Sequence, residues 1–314
     1  MKTLTVISPA YNEEEGIARF YTAVRAELDK LKGYISEILI VIDGGTDNTL
    51  GVVQELASHD PKLRALKLST NFGQQMALVA GIDHTHADVV IMMDADLQHP
   101  PSVIPLLIAE YEKGNDVVYT IRTRNEHVSL ARKLAGKIFY RFINLISDVP
   151  INENASDFRL ISGRVAGLLR DRIRERNLFL RGVIGWMGFP QAKVVFTADE
   201  RIAGKSKYSL SKLIKFAIFG IISFSKKPLR AASVVGVCFA IFGAAFGVVT
   251  VVQYFLGQIT QPGFATIVVL LTMFGGLQLF FLGVVGEYIG GIFDEVKGRP
   301  HYLLETAVNL EAKS

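Results

Sequence analysis

What this 314-residue chain has little of is informative. It holds a single cysteine, Cys238, so no intramolecular disulfide is possible and a disulfide-stapled scaffold is excluded. Only 10 prolines stand beside 20 phenylalanines, and no repeat or low-complexity tract occurs, which excludes collagen-like and disordered chains. No G-x-G-x-x-G follows the first apolar segment and no G-x-x-x-x-G-K-[ST] occurs anywhere, so dinucleotide oxidoreductases and P-loop enzymes would lack their phosphate cradle. Charge is sparse too, at 20% of residues against about a quarter in ordinary soluble domains. The net charge of +4 and pI near 9.0 are too weakly basic to argue for nucleic acid, but they suit an anionic substrate or a membrane surface.

The missing charge is concentrated in one place. From Ala231 to Gly286 there is no Asp, Glu, Lys, Arg or His, and only the segment 257–263 (GQITQPG) interrupts the apolar run. A helix needs about 20 apolar residues to cross a bilayer core, so the run predicts two membrane helices at 231–256 and 264–290. Lys226, Lys227 and Arg230 precede the first, and Lys297 and Arg299 follow the second, while the central turn is uncharged. The positive-inside rule then puts residues 1–230 and the tail in the cytoplasm. The start, Met1-Lys2-Thr3-Leu4, meets Glu13-Glu14-Glu15 too soon to read as a signal peptide. The Gly236/Gly243/Gly247 and Gly275/Gly276/Gly283/Gly286 faces allow close helix approach, within the hairpin or between protomers of a homo-oligomer.

Ahead of the spans, apolar segments at 3–9, 36–43, 63–68, 88–93 and 116–121 read as strands, alternating with helices at 14–31, 47–58 and 74–84. That alternation predicts βαβ units and a mostly parallel, Rossmann-like α/β sheet, with ligands at the C-terminal strand ends. Three polar clusters fall there: Pro9-Ala10-Tyr11-Asn12-Glu13, Asp43-Gly44-Gly45 and Asp94-Ala95-Asp96-Leu97-Gln98. Two carboxylates two residues apart after a fully apolar strand can share one hard divalent cation with a diphosphate.

PAYNE at 9–13, DGGTDNT at 43–49, NFGQQ at 71–75, DADLQHPP at 94–101, SDFRL at 156–160 and RIAGKSKYS at 201–209 occur in one order. With the apolar pair and the 286–302 tail they resemble glycosyltransferase family 2, within it the polyprenyl-phosphate glycosyltransferases. The resemblance implies a GT-A catalytic domain over 1–209, an amphipathic juxtamembrane helix over 210–230, two transmembrane helices within 231–290 and a cytoplasmic tail over 291–314. It implies inverting transfer of one hexose, glucose from UDP-glucose, to undecaprenyl phosphate at the bacterial inner membrane. Another donor (GDP-mannose, UDP-N-acetylglucosamine or an aminoarabinose nucleotide) and a catalytically silent membrane scaffold are the alternatives.

Residue by residue, the resemblance gives Pro9, Tyr11, Glu13 and Asp43 to the nucleotide, Asp94 to the ribose or sugar side, and Asp96 with Gln98 to Mg²⁺ or Mn²⁺. His99 could also reach the cation, although Gln98 is the matching position. Asp157 is the position usually proposed as catalytic base. A phosphate monoester has its second pKa at about 6, however, so the acceptor is already largely ionised and Asp157 could instead orient it. Arg201, Lys205 and Ser206 would meet the acceptor phosphate, with Arg122 and Arg132 as weaker candidates. Two departures stand out: Ile42 where the family usually has a first aspartate, and Gly45 where it often has serine.

Overall fold

The computed structural model describes residues 1–123, 155–176, 178–197, 227–257 and 263–310. Four parallel strands form its centre: β1 (Lys2–Ala10), β2 (Tyr34–Ile42), β3 (Leu63–Leu68) and β4 (Val89–Met92). Their sequences are near-continuous apolar runs because helices cover both faces. Helices α1 (Ile17–Leu28), α2 (Thr49–His59) and α4 (Ile104–Glu112) bury Phe20, Val24, Val53 and Leu107 in one cluster with Val6, Ile40 and Ile91. Helix α3 (Gln74–Asp83) covers the opposite face, where Ile7 points, since neighbouring strand residues alternate sides. Gly81 allows this close approach, because a Cβ there would overlap the Ile7 side chain.

Four more strands complete one eight-stranded sheet, in the order β7-β5-β6-β4-β1-β2-β3-β8. They are β5 (Val117–Thr123), β6 (Ala155–Ser162), β7 (Gln191–Thr197) and β8 (Leu304–Val308), with α5 (Gly163–Asp171) and α6 (Leu180–Trp186) between β6 and β7. The sheet is the mostly parallel, helix-flanked GT-A class of architecture expected from the sequence. Two strands run against the majority: β6 is antiparallel to β4 and β5, and β8 is antiparallel to β3. Neither was foreseen. Ser156, Asp157 and Arg159 break the apolar pattern of β6, although Phe158, Leu160 and Ile161 are fully buried.

The chain divides into two compact units, one holding β1–β8 with α1–α6 and the other holding the two long apolar helices. These are α7 (Lys227–Phe255) and α8 (Phe264–Val296), starting four residues earlier and ending six later than expected. Their segments Leu229–Val249 and Met273–Val296, with mean hydropathies of 2.3 and 1.5, are long and apolar enough to cross a membrane. Phe239 and Phe274 meet edge to face between them. Among the described residues, a Cβ built at Gly236, Gly243, Gly247, Gly275, Gly276, Gly283 or Gly286 has no neighbour within 4 Å.

The segment after α8, expected as a tail of its own, supplies β8 and a row of fastenings. Arg176 donates to the carbonyls of Arg299 and Pro300, His301 Nε2 lies 3.0 Å from the Glu175 carbonyl, and the Tyr302 hydroxyl donates to Asp83 at 3.0 Å. The Ser69 amide donates to the Leu303 carbonyl, Lys67 pairs with Glu305, and Asn309 donates to the carbonyls of Ala57 and Leu63. An uncovered edge invites strand addition from another chain. Deleting 304–314 is therefore expected to lower the thermal midpoint of the detergent-solubilised protein and to shift it towards larger species in size-exclusion chromatography.

Candidate active site

The chain leaves β1 towards β2 but leaves β4 in the opposite direction, towards β5 and β6. The loops at those two strand ends therefore diverge and open a crevice, the usual ligand position in open α/β sheets. A cleft of about 340 Å³ lies there, lined by Pro9, Ala10, Tyr11, Glu13, Asp43, Asn71, Gly73, Gln74, Asp94, Ala95 and Asp96. Six of the seven residues expected to meet the nucleotide or the metal thus share one cavity, and the seventh, Gln98, is bonded to Asp96.

The first two loops are stapled together. Asn12, in the left-handed region at φ 55°, accepts the Thr46 amide on its side-chain oxygen at 2.9 Å. The Glu13 amide donates to Thr49 Oγ1, the Glu14 amide to Asp47 Oδ2, and the Asn48 amide back to Glu14 Oε2, each at 3.0 Å. Gly45 explains its own departure from serine: its φ is +105° and a Cβ would stand 2.8 Å from Asn12 Oδ1. Ile42 is likewise committed to the core, 2% exposed.

Asp43 does not present a bare carboxylate to the cleft. Its Oδ1 accepts the Phe72 amide at 2.7 Å and its Oδ2 the Gly73 amide at 2.8 Å, so it holds the 71–75 loop in place. Burial pushes its pKa up, and the two amides partly offset this. The loop in turn reaches three further places. Gln74 Nε2 donates to Asp94 Oδ1 at 2.6 Å, Gln75 Oε1 accepts the Leu180 amide at the start of α6, and the preceding Ser69 is tied to the tail.

At the end of β4, Asp96 accepts both the Gln98 amide at 3.0 Å and its side-chain amide at 2.7 Å. Leu97, at φ 58°, sits in the left-handed region that turns the loop back. The β4–β6 register pairs Met92 with Arg159 and Ile91 with Leu160, and just past its end Asp94 lies near enough to Asp157 to feel its charge. Burial, followed by the charges of Asp157 and Asp96, raises the Asp94 pKa to about 7. Glu13 is raised by burial and by Asp96 and Asp47.

Asp157 shows the opposite behaviour. Burial alone would raise it, but Arg181 and Arg159 outweigh burial and hold its pKa below the usual carboxylate range. Arg181 donates to Asp157 Oδ1 at 3.0 Å, and Arg159 Nη2 lies 3.6 Å from the same oxygen. His99 is a brace rather than a ligand candidate: Nδ1 accepts the Asp94 amide, Nε2 lies 2.7 Å from Ser156 Oγ, and the ring stacks on Phe158. Sequence reasoning assigned no role to Gln74, Gln75, Asn12 or Arg181. NFGQQ was a visible motif without a stated task, and Arg181 belongs to none.

The remaining acceptor-side expectations are not assembled here. Arg122 lies in β5, and Arg132, Arg201, Lys205 and Ser206 fall outside the described residues, as does 210–226 of the expected amphipathic segment.

The donor set fits a hard divalent cation. Asp94, Asp96 and the Gln98 amide offer oxygen ligands, and among the described residues no three His, Cys, Asp or Glu side chains converge into a closed metal cage. Mg²⁺ and Mn²⁺ are commonly held by one or two carboxylates, with phosphate oxygens and water completing the shell.

An acid whose pKa is raised by folding opposes stability above its unfolded value. Asp94 therefore withdraws stability as pH rises from about 4, its ordinary range, to about 7. Asp94→Asn is expected to raise the thermal midpoint of chelator-treated protein at pH 7.5. The gain should shrink towards pH 4, and it should accompany loss of metal binding.

A profile of the family described as "Glycosyl transferase family 2" matches residues 5–169. The "Bactoprenol glucosyl transferase" of Shigella phage SfX is 40% identical over 303 residues, covering 96% of this chain and 99% of that protein. The "Uncharacterized glycosyltransferase YkcC" of Bacillus subtilis is 35% identical, covering 98% and 95% respectively. Among solved structures, glucosyl-3-phosphoglycerate synthase from Mycobacterium tuberculosis, in complex with Mn²⁺, UDP-glucose and phosphoglyceric acid, is similar at a TM-score of 0.44 and 18% identity, over 70% of this chain and 78% of that one. With the matched profile spanning over half its length and full-length relatives above 30% identity, the chain belongs to glycosyl transferase family 2.

Proposed function

We propose that the protein transfers one glucose from UDP-glucose to a polyprenyl phosphate, undecaprenyl phosphate in a bacterial inner membrane, giving a polyprenyl monophosphate sugar. The observation that carries this reading is the Asp94–Asp96 pair at the strand-order switch, opening on a cleft lined by both nucleotide loops. The full-length likeness to a protein named for glucosyl transfer to bactoprenol supports the acceptor and the sugar.

The apolar pair supports a lipid-borne acceptor. Two spans would return the chain to the side of the bilayer it started from. Lys227, Arg230, Lys297 and Arg299 agree with the cytoplasmic side. Tyr11, half exposed at the cleft, offers the nucleotide base an aromatic face. An acceptor phosphate oxygen attacks the anomeric carbon from the face opposite the nucleotide. The bond from that carbon to the diphosphate oxygen breaks, and its electron pair leaves on UDP. No proton need move, because the acceptor oxygen is already ionised near neutrality. A divalent ion at Asp96 and Gln98, with Asp94, would neutralise charge on the departing diphosphate.

Purified full-length protein, undecaprenyl phosphate, Mg²⁺ or Mn²⁺ and a panel of labelled nucleotide sugars test the reading. Label from UDP-glucose is expected in the lipid phase, reduced about a hundredfold or more by Asp96→Ala. Transfer from a different nucleotide sugar would replace the donor. No transfer from any of them, with UDP still bound, would favour a silent scaffold.

A further inference from the structure

Two guanidiniums flank Asp157, and they differ in what they have left to give. Arg159 has a side chain only 5% exposed and donates to the Ser156 carbonyl at 3.0 Å, so it belongs to the interior of the sheet. Arg181 has a side chain 25% exposed and donates one N–H to Asp157 Oδ1. Among the described residues, its Nε is buried without a hydrogen-bond partner. A guanidinium carries five N–H groups in a fixed fork, and a buried one left unsatisfied normally has a task or a destabilising effect.

The position of Arg181 suggests the task. The nucleotide cleft is lined as far as Asp94 and Asp96, and neither Asp157 nor Arg181 lines it. Asp94 links the two regions: it lines the cleft, and the charges of both Asp157 and Arg181 are felt at it. Arg181, bonded to Asp157, therefore lies outside the lining of the nucleotide cleft yet near enough to Asp94 for its charge to act there. An incoming phosphate there meets three carboxylates, and without a cation the approach is repulsive.

We propose that Arg181 binds the accepting phosphate, donating its spare N–H groups to a phosphate oxygen, and that Asp157 is the positioning residue that aims it. This assigns Asp157 no proton to remove, consistent with an acceptor already ionised. The attacking oxygen keeps its electron pair for the new bond to carbon, and Arg181 keeps its protons. The identity of the lipid phosphate rests on the function proposed above. The anion contact itself does not.

The test uses the full-length protein in detergent with two readouts. Arg181→Ala is expected to raise the KM for undecaprenyl phosphate about tenfold to a hundredfold, the size of one lost charge-assisted contact. UDP affinity with Mg²⁺, measured by calorimetry, should stay within about twofold, which also reports a folded donor site. Arg181→Lys should recover part of the loss, since it restores the charge but not the fork. Asp157→Asn should show the same KM effect, and the double variant should be no worse than the poorer single one. An acceptor KM near wild type in Arg181→Ala overturns the proposal, as does an equal loss of UDP affinity. Additive losses for the two residues would return Asp157 to an independent role as base. Should the wild type transfer no sugar at all, the proposed function fails separately. Binding of farnesyl phosphate in the presence of UDP and Mg²⁺ then decides: weakening by Arg181→Ala supports the contact, and no difference or no binding overturns it.

Discussion

Like charges held close together set the terms for the rest of this structure. Strands β4 and β6 run antiparallel, and at the end of their pairing Asp94 feels the charges of Asp157 and of Asp96, two residues further along the same loop. Such a cluster opposes folding unless cations or hydrogen-bond donors surround it. The fold supplies several. Gln74 donates to Asp94, the Gln98 amides to Asp96, and Arg181 to Asp157, while His99 fixes the Asp94 backbone against β6. The balance is uneven, since Asp157 is held ionised while Asp94 is pushed towards neutrality. The place where negative charge remains undercompensated is the place where a divalent cation would bind.

The 71–75 loop turns these separate contacts into one arrangement. Its backbone amides clamp Asp43, its first glutamine holds Asp94, and its second reaches α6, which carries Arg181. The strand that feeds this loop, β3, is flanked by β8, and Ser69 at its exit is tied to Leu303. The segment that follows the apolar helices is thus part of the scaffold behind the donor cleft. A disturbance of the tail has a short bonded route to Asp94.

Legibility in the sequence followed the range of the interactions. The parallel core was readable because each strand is a local apolar run and each helix a local periodicity, as in Ile17, Phe20, Val24 and Leu28 of α1. The Asp94–Asp96 pair was readable for the same reason: both carboxylates follow one apolar strand. β6 was not, since its polar residues face the site and break the pattern. β8 was not either, because its partner lies more than two hundred residues earlier, and nothing local marks Leu304–Val308 as an edge strand. Asp43 was readable as a cleft residue, but its hold on the amides of Phe72 and Gly73 was not, because these come from another βα unit. Arg181 carried no motif and became visible only through its contact with Asp157.

The division of labour between Asp94 and Asp157 follows from chemistry as much as from geometry. A reaction whose nucleophile must lose a proton benefits from a base with a raised pKa, poised near the working pH. Asp157 is the reverse, held ionised by two guanidiniums at low basicity. A nucleophile that arrives ionised instead needs its charge tolerated among carboxylates and its oxygen aimed at carbon. A fixed anion that orients a guanidinium with N–H groups to spare meets both needs, and a weakly basic Asp157 then becomes an asset, because it does not compete with the phosphate for a proton.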